Sequence, residues 1–354
     1  MSLSRRRQQL LWRRSMAVDG GMSVIMITRG RPALLRACLE SVIAGGGPPE
    51  IIAGVNGEDP ESLAVIKSFK DTVRAVNLRR MCRGEARNAL VSAARGRWLC
   101  FLDDDTVVPE GYFTRLAALI EKNPDCSVFG GGQELYAGAG YFEAVVYALL
   151  SSRWGGGPFT ERFSPVRGTR PAGPEKFILC NLIVDRKFLT EHSLSFEGHL
   201  TSAEENLLMN RMAAAGAGMI LSGDLNLVHR RRSGLPDFLA QVFSSGRGRA
   251  QITLLSRDGF SAFTLLPPAA LFLGGFSAAV FPSGFVPLAA AYGAACAAAA
   301  FSGPGWKIKA SLIPLFPALH SAYAAGWLYG AAEFMAEKVF RRRKPLRCRC
   351  EGIL

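Results

Sequence analysis

The chain has 354 residues, 49% of them hydrophobic, and 42 Lys and Arg against 29 Asp and Glu give it a net charge of +13. That length suits one large domain with an appendage, or two domains, and the apolar content supports a sizeable core. The positive excess gathers at Arg5, Arg6, Arg7, Arg13 and Arg14, at Arg230, Arg231, Arg232, Arg247 and Arg249, and at Arg341, Arg342, Arg343, Lys344, Arg347 and Arg349. It suits anionic headgroups or phosphates, and with no stacking or base-reading motif beside it, no nucleic-acid partner is expected.

Residues 1–21 read as a basic N-terminal arm without the apolar stretch and cleavage site of a secretory signal. From residue 22 the pattern predicts strands over 23–28, 50–55, 72–78, 99–102 and 126–131. Between them it predicts helices over 32–43, 60–69, 84–95 and 109–122. In the first helix Leu34, Leu35, Cys38, Leu39 and Val42 recur at helical spacing, and Asn56-Gly57 closes the second strand. This β-α-β-α alternation predicts a mostly parallel α/β sheet flanked by helices. Residues 133–175, with Gly155-Gly156-Gly157 and several prolines, predict an irregular loop or flap.

The C-terminal third changes character. Residues 259–306 and 310–332 contain no Asp, Glu, Lys or Arg. A membrane-spanning helix needs roughly 20 apolar residues. The first stretch accommodates two spans, about 262–280 and 284–302, and the second accommodates one interrupted by Pro314 and Pro317. Lys307 and Lys309 after the hairpin, and Arg230 to Arg249 before it, put its ends on the cytoplasmic side. The basic tail 341–354 conflicts with a single crossing by 310–332, which leaves a re-entrant or interfacial segment as the alternative. The expected division is therefore an arm at 1–21, a soluble domain at 22–255, membrane helices at 256–340 and a tail at 341–354. The eight cysteines show no paired metal-ligand spacing, and reduced cytoplasmic thiols are expected.

Trp98-Leu99-Cys100-Phe101-Leu102 is an apolar run that ends on Asp103-Asp104-Asp105. The C-terminal end of such a strand opens into the crevice where open α/β sheets bind ligands. Two of three carboxylates there would share a divalent cation that in turn holds a diphosphate. An acidic turn after a strand is the other reading of these residues alone.

Five further segments accompany it. Residues 24–32 read Val-Ile-Met-Ile-Thr-Arg-Gly-Arg-Pro, and residues 50–57 read Glu-Ile-Ile-Ala-Gly-Val-Asn-Gly. Residues 84–88 read Gly-Glu-Ala-Arg-Asn, and residues 202–211 read Ser-Ala-Glu-Glu-Asn-Leu-Leu-Met-Asn-Arg. The last is Val228-His229-Arg230. With Asp103-x-Asp105, this series resembles the family 2 inverting glycosyltransferases, and most of all the membrane-attached bacterial type that makes exopolysaccharides or glycolipids. The likeness covers about residues 22–255.

The resemblance implies a GT-A fold, a Rossmann-like sheet with flanking helices, followed by C-terminal transmembrane helices. It implies transfer of a sugar from a nucleotide-diphosphate sugar, with inversion, to a lipid-linked or glycan acceptor. The setting would be polysaccharide biosynthesis at the cytoplasmic face of a multi-pass inner-membrane protein in contact with membrane lipids. By motif position, Thr28, Arg29, Asn56, Arg87, Asn88, Asp103 and Asp104 would contact the donor. Asp103, Asp105 and His229 would hold Mg2+ or Mn2+. Glu205 would be the general base with Glu204 beside it, and Arg211, Arg247 and Arg249 would meet diphosphate or lipid headgroups. Val55 and Asn56 replace the family's usual acid pair, which leaves the donor base open. The Gln-x-x-Arg-Trp signature of processive synthases is absent, as expected for addition of a single sugar. A nucleotidyltransferase would need a glycine-rich basic loop after the first strand, which residues 28–36 do not supply. A non-catalytic membrane scaffold draws its support from the altered Val55-Asn56 pair.

Overall fold

The computed structural model describes residues 20–46, 50–256 and 261–340. Most of the predicted arm and the whole basic tail, with Cys348 and Cys350, lie outside the described residues. The strands are β1 (Met22–Thr28), β2 (Glu50–Asn56), β3 (Arg74–Leu78), β4 (Trp98–Leu102), β5 (Thr106–Val107), β6 (Cys126–Gly130), β7 (Gln133–Glu134), β8 (Thr169–Pro171), β9 (Asn181–Asp185), β10 (Gly218–Ser222) and β11 (Leu227–His229). The helices that matter here are α1 (Pro32–Ala44), α2 (Pro60–Ser68), α3 (Arg83–Ala93), α4 (Tyr112–Lys122), α5 (Tyr141–Leu150), α6 (Glu204–Ala214), α7 (Leu235–Leu255), α8 (Leu266–Val280), α9 (Pro282–Ala300) and α10 (Gly305–Phe340).

Eight strands form one sheet in the order β3-β2-β1-β4-β9-β6-β10-β8. Six run in one direction. β9 is antiparallel to both β4 and β6, and β8 is antiparallel to β10. The central strands are buried on both faces, so β1 and β4 read as continuous apolar runs and not as alternations. One face is covered by α1 and α4 through Leu35, Leu39, Phe113 and Leu116. The other is covered by α3 and α6 through Leu90, Leu208 and Met212. A second sheet, β5-β11-β7, sits at the C-terminal end of β4. It pairs His229 with Thr106, and the Arg230 amide donates to the Asp105 carbonyl at 3.0 Å. That pairing carries the late histidine to the acidic turn.

Residues 133–175 differ from the predicted flap. They hold β7, α5, β8 and short helical turns. The order of α5 comes from packing: Val145, Val146 and Leu149 are buried with Phe238 and Val242 of α7 and Leu312 and Phe316 of α10.

Among the described residues two helices, Ala262–Val280 and Pro282–Ala300, are long and apolar enough to cross a membrane. They expose Phe272, Leu273, Phe276, Val286 and Leu288. Residues 310–332, expected as an interrupted third span, belong to the 36-residue α10, whose Leu312, Phe316 and Leu319 pack with residues of α5 and α7. Glycines let α7 and α10 approach backbone to backbone. A Cβ on Gly326 would lie 2.0 Å from the Phe243 carbonyl oxygen, and one on Gly246 would lie 2.1 Å from that of Tyr323.

Candidate active site

The acidic turn after β4 holds three carboxylates in three different surroundings. Asp104 is fully buried, accepts from the Thr28 hydroxyl at 2.7 Å and pairs with Arg31 at 2.6 Å. Burial lifts its carboxyl to about 7 against the pull of Arg31. Asp105 meets His229 Nε2 at 3.0 Å and Arg31 at 2.5 Å. Burial pushes its carboxyl up too, but His229, Arg31 and Arg232 outweigh that and hold it below the ordinary carboxylate range. The Asp103 side chain is 39% exposed and faces the crevice.

His229 is oriented from behind. Its Nδ1 lies 2.9 Å from Gln133 Oε1, and Gln133 Nε2 donates to Cys180 Sγ at 3.2 Å. Ligand atoms of Asp103, Cys180 and His229 all lie within 4.8 Å of one another. With Asp105 against His229, the oxygen and nitrogen donors fit a hard or borderline divalent ion. Burial, with Asp103 and Asp105 nearby, raises the Cys180 thiol well above its ordinary value.

The second acid pair opens α6. Ala203, just before it, sits at φ +63°, a left-handed conformation uncommon outside glycine, and strain of this kind concentrates at functional sites. Glu204 is 2% exposed and ion-paired with Arg87 of α3. Arg87 also lies 3.9 Å from Asp103, so one guanidinium ties the start of α6 to the end of β4. Glu205 is held differently. It accepts from Asn206 Nδ2 at 2.8 Å and lies 4.0 Å from Arg162. Burial raises its carboxyl, Glu204 raises it further, and Arg162 and Arg249 oppose both. Arg249 donates to Asn206 Oδ1 at 2.7 Å.

Several residues expected to meet the donor are committed elsewhere. Thr28 is 1% exposed, and its hydroxyl supports Asp104 instead of reaching the crevice. Both halves of the Asn56 amide are taken by the backbone of Met81, at 2.9 and 3.0 Å. The Asn88 amide clasps the Phe196 backbone in the same way, at 2.8 and 3.0 Å. Arg211 pairs with Glu197 at 3.1 Å, and Arg247 forks Glu333 of α10 at 2.8 and 2.7 Å, so neither guanidinium is turned to phosphate or lipid. Arg29 is exposed on the turn after β1. Short contacts link Asp103 to Glu204 through Arg87, and Asp105 to His229 and Arg31, while Glu205 and Arg249 meet at Asn206.

Four participants carry no sequence expectation: Arg31, Gln133, Arg162 and Cys180. Arg31 lies within the turn at residues 24–32, where its spacing from Thr28 is the only hint. Arg162 comes from the stretch predicted to be irregular, and nothing local marks it.

Residues 23–155 match the family model Glycosyl transferase family 2. No curated protein matches the chain by sequence. Among solved structures it is similar to a mannosyltransferase, PcManGT, from Pyrobaculum calidifontis in complex with GDP-Man and Mn2+. The TM-score is 0.56 at 16% identity over 93% of this chain and 96% of that one. Residues 1–349 of S. aureus TarS in complex with UDP-GlcNAc give a TM-score of 0.48 at 16% identity, over 89% and 91%. At these identities the likeness is one of fold. The sheet order and the likeness to PcManGT give the chain the GT-A fold, and its residues 23–155, which include the acidic turn after β4, are similar to family 2 glycosyltransferases.

Proposed function

We propose that the protein transfers a sugar from a nucleoside-diphosphate sugar, with inversion, to an acceptor hydroxyl presented at a membrane surface. The observation that carries this reading is the approach of the acidic turn after β4 to the acid pair that opens α6, with one guanidinium, Arg87, bridging Asp103 and Glu204.

Asp103 and Asp105, with His229, would hold a divalent ion of the Mg2+ or Mn2+ kind, which supplies neutralisation of the leaving diphosphate. His229 is kept in place by Gln133, and Arg31 balances the charge of Asp104 and Asp105. Glu205, set apart from the Arg87 clamp, takes the acceptor hydroxyl proton. The acceptor oxygen forms its bond to the anomeric carbon from the face opposite the diphosphate. The old carbon–oxygen bond breaks with its electron pair going to the diphosphate oxygen. GDP-Man and UDP-GlcNAc, the ligands of the two neighbours, are the first donors to try.

The exposed apolar helices α8 and α9 support attachment to the membrane, with the crevice on the cytoplasmic side and a lipid-linked or glycan acceptor. The expected domain division is kept as part of this reading. The test is release of nucleoside diphosphate by the full-length protein across a panel of nucleotide sugars, with Mn2+ or with excess chelator. Release from one donor that stops in chelator is expected. No release from any donor, or release indifferent to chelator, would contradict it.

A further inference from the structure

On the side of Glu205 away from the acidic turn, positive charge is left over. Arg162 is 4% exposed and Arg249 is largely enclosed, and both guanidiniums lie over the ring of Phe159, at 5.0 and 4.8 Å from its centroid. They are close enough to repel: burial and then the Arg249 charge bring the Arg162 guanidinium down to about 9, against the pull of Glu205 and Glu175. The carboxylate between them is Glu205, 4.0 Å from Arg162. Their other hydrogen bonds go to neutral groups, the Glu175 and Pro174 carbonyls for Arg162 and the Asn206 amide for Arg249. Glu175 adds a weaker pull on Arg162, but Glu205 is the carboxylate the two buried cations share, and such a pair is costly unless a further anion joins it.

The same corner touches the apolar hairpin. Phe159 packs on Phe263 with ring centroids 6.3 Å apart, and Phe263 lies in the turn that leads straight into α8. Arg249 is carried by α7, which precedes that turn. A ligand here would place an anionic group on the arginines and an apolar tail along α8 and α9.

Resting on the reading above, we propose that Arg162 and Arg249 bind a phosphoryl group of the acceptor, so that the acceptor is a phosphate-bearing amphiphile whose hydroxyl is delivered to Glu205. Two guanidiniums match the oxygens of a phosphate better than one carboxylate does. The donor's own diphosphate is the other source of the same chemistry, and it is expected on the Asp105 and His229 side.

The probes are dodecyl phosphate and inorganic phosphate, titrated by calorimetry into full-length protein in neutral maltoside micelles. Each titration is run with and without saturating GDP or UDP and Mn2+. Dodecyl phosphate should bind in both conditions, and inorganic phosphate should bind more weakly at the same place. Arg162→Gln and Arg249→Gln should each weaken binding by about tenfold or more, the loss expected for one charged hydrogen-bond partner. Arg249→Lys should recover part of it. Retained binding of the nucleoside diphosphate checks that each variant is folded, and the less enclosed Arg249 serves if Arg162→Gln is not. Equal binding by wild type and both variants would overturn the proposal. So would displacement of dodecyl phosphate by the nucleoside diphosphate, which would give the arginines to the donor. Neither result depends on turnover, so a protein that binds dodecyl phosphate through these arginines but releases no nucleoside diphosphate would sink the transferase reading alone.

Discussion

The acid pairs at the end of β4 and at the start of α6 look alike in sequence and differ in what holds them. At β4, Asp104 is withdrawn into the core on Thr28 and Arg31, while Asp105 faces His229. At α6, Glu204 is withdrawn onto Arg87, while Glu205 keeps only an amide and distant arginines. In each pair one carboxylate is buried on a guanidinium; the next meets His229 as well as Arg31 at β4, and an amide with more distant arginines at α6. The first site is surrounded so as to keep Asp105 ionised, as holding a cation requires. The second raises the carboxyl of Glu205, as accepting a proton requires. An adjacent pair of acids therefore supplies one anchor and one working group, and the environment decides which is which.

The sharpest way to break this comparison is at β4. Asp105→Asn should lower turnover by about 10²–10³-fold, the scale for losing one electrostatic stabiliser of a leaving group. Mn2+ binding measured by calorimetry should fall with it. Undiminished Mn2+ binding would move the cation to other ligands. At α6, Glu204→Gln should cost about 1–3 kcal/mol of stability, because the buried Arg87 loses its charged partner. The fall should be read from a denaturant midpoint. A variant as stable as wild type would mean that Arg87 does not depend on Glu204.

A gentler test uses pH. Glu205 must be ionised to accept a proton, and its carboxyl is raised by burial and by Glu204. kcat should therefore fall as pH drops through a value above the ordinary carboxylate range, and stay level above it. Glu205→Gln should lack that acid limb. A limb that persists in the variant would belong to another group. Smaller again is the effect expected at the helix contact far from both pairs. Gly326→Ala forces the Phe243 carbonyl away from α10, and should lower the midpoint of unfolding without changing donor binding.

The parallel half of the sheet was legible because β1, β2 and β4 are continuous apolar runs with Pro32, Pro60 and Gly57 punctuating the turns. β9 was not. The place of Asn181–Asp185 between β4 and β6 is a long-range antiparallel pairing with no local trace. α5 escaped notice because its partners lie about a hundred residues or more downstream, on α7 and α10. At the site, the motif spacing led to Asp103, Asp105, Glu204, Glu205 and His229. It did not show that Asn56, Asn88, Arg211 and Arg247 are held by a backbone or a carboxylate, because a polar side chain in a motif says nothing about its partners in space. Arg31 and Arg162 matter through charge balance in three dimensions, which spacing along the chain does not encode.

The division of labour within the pairs is tested most directly by measuring kcat for Glu205→Gln and Glu204→Gln side by side, at saturating donor and Mn2+, with nucleoside diphosphate affinity measured on the same samples. Glu205→Gln should lose roughly 10²–10⁴-fold in kcat, the usual contribution of a general base, with affinity little changed. Glu204→Gln should retain far more of its kcat and lose stability instead. A dead Glu204→Gln beside a Glu205→Gln that turns over normally would contradict the account.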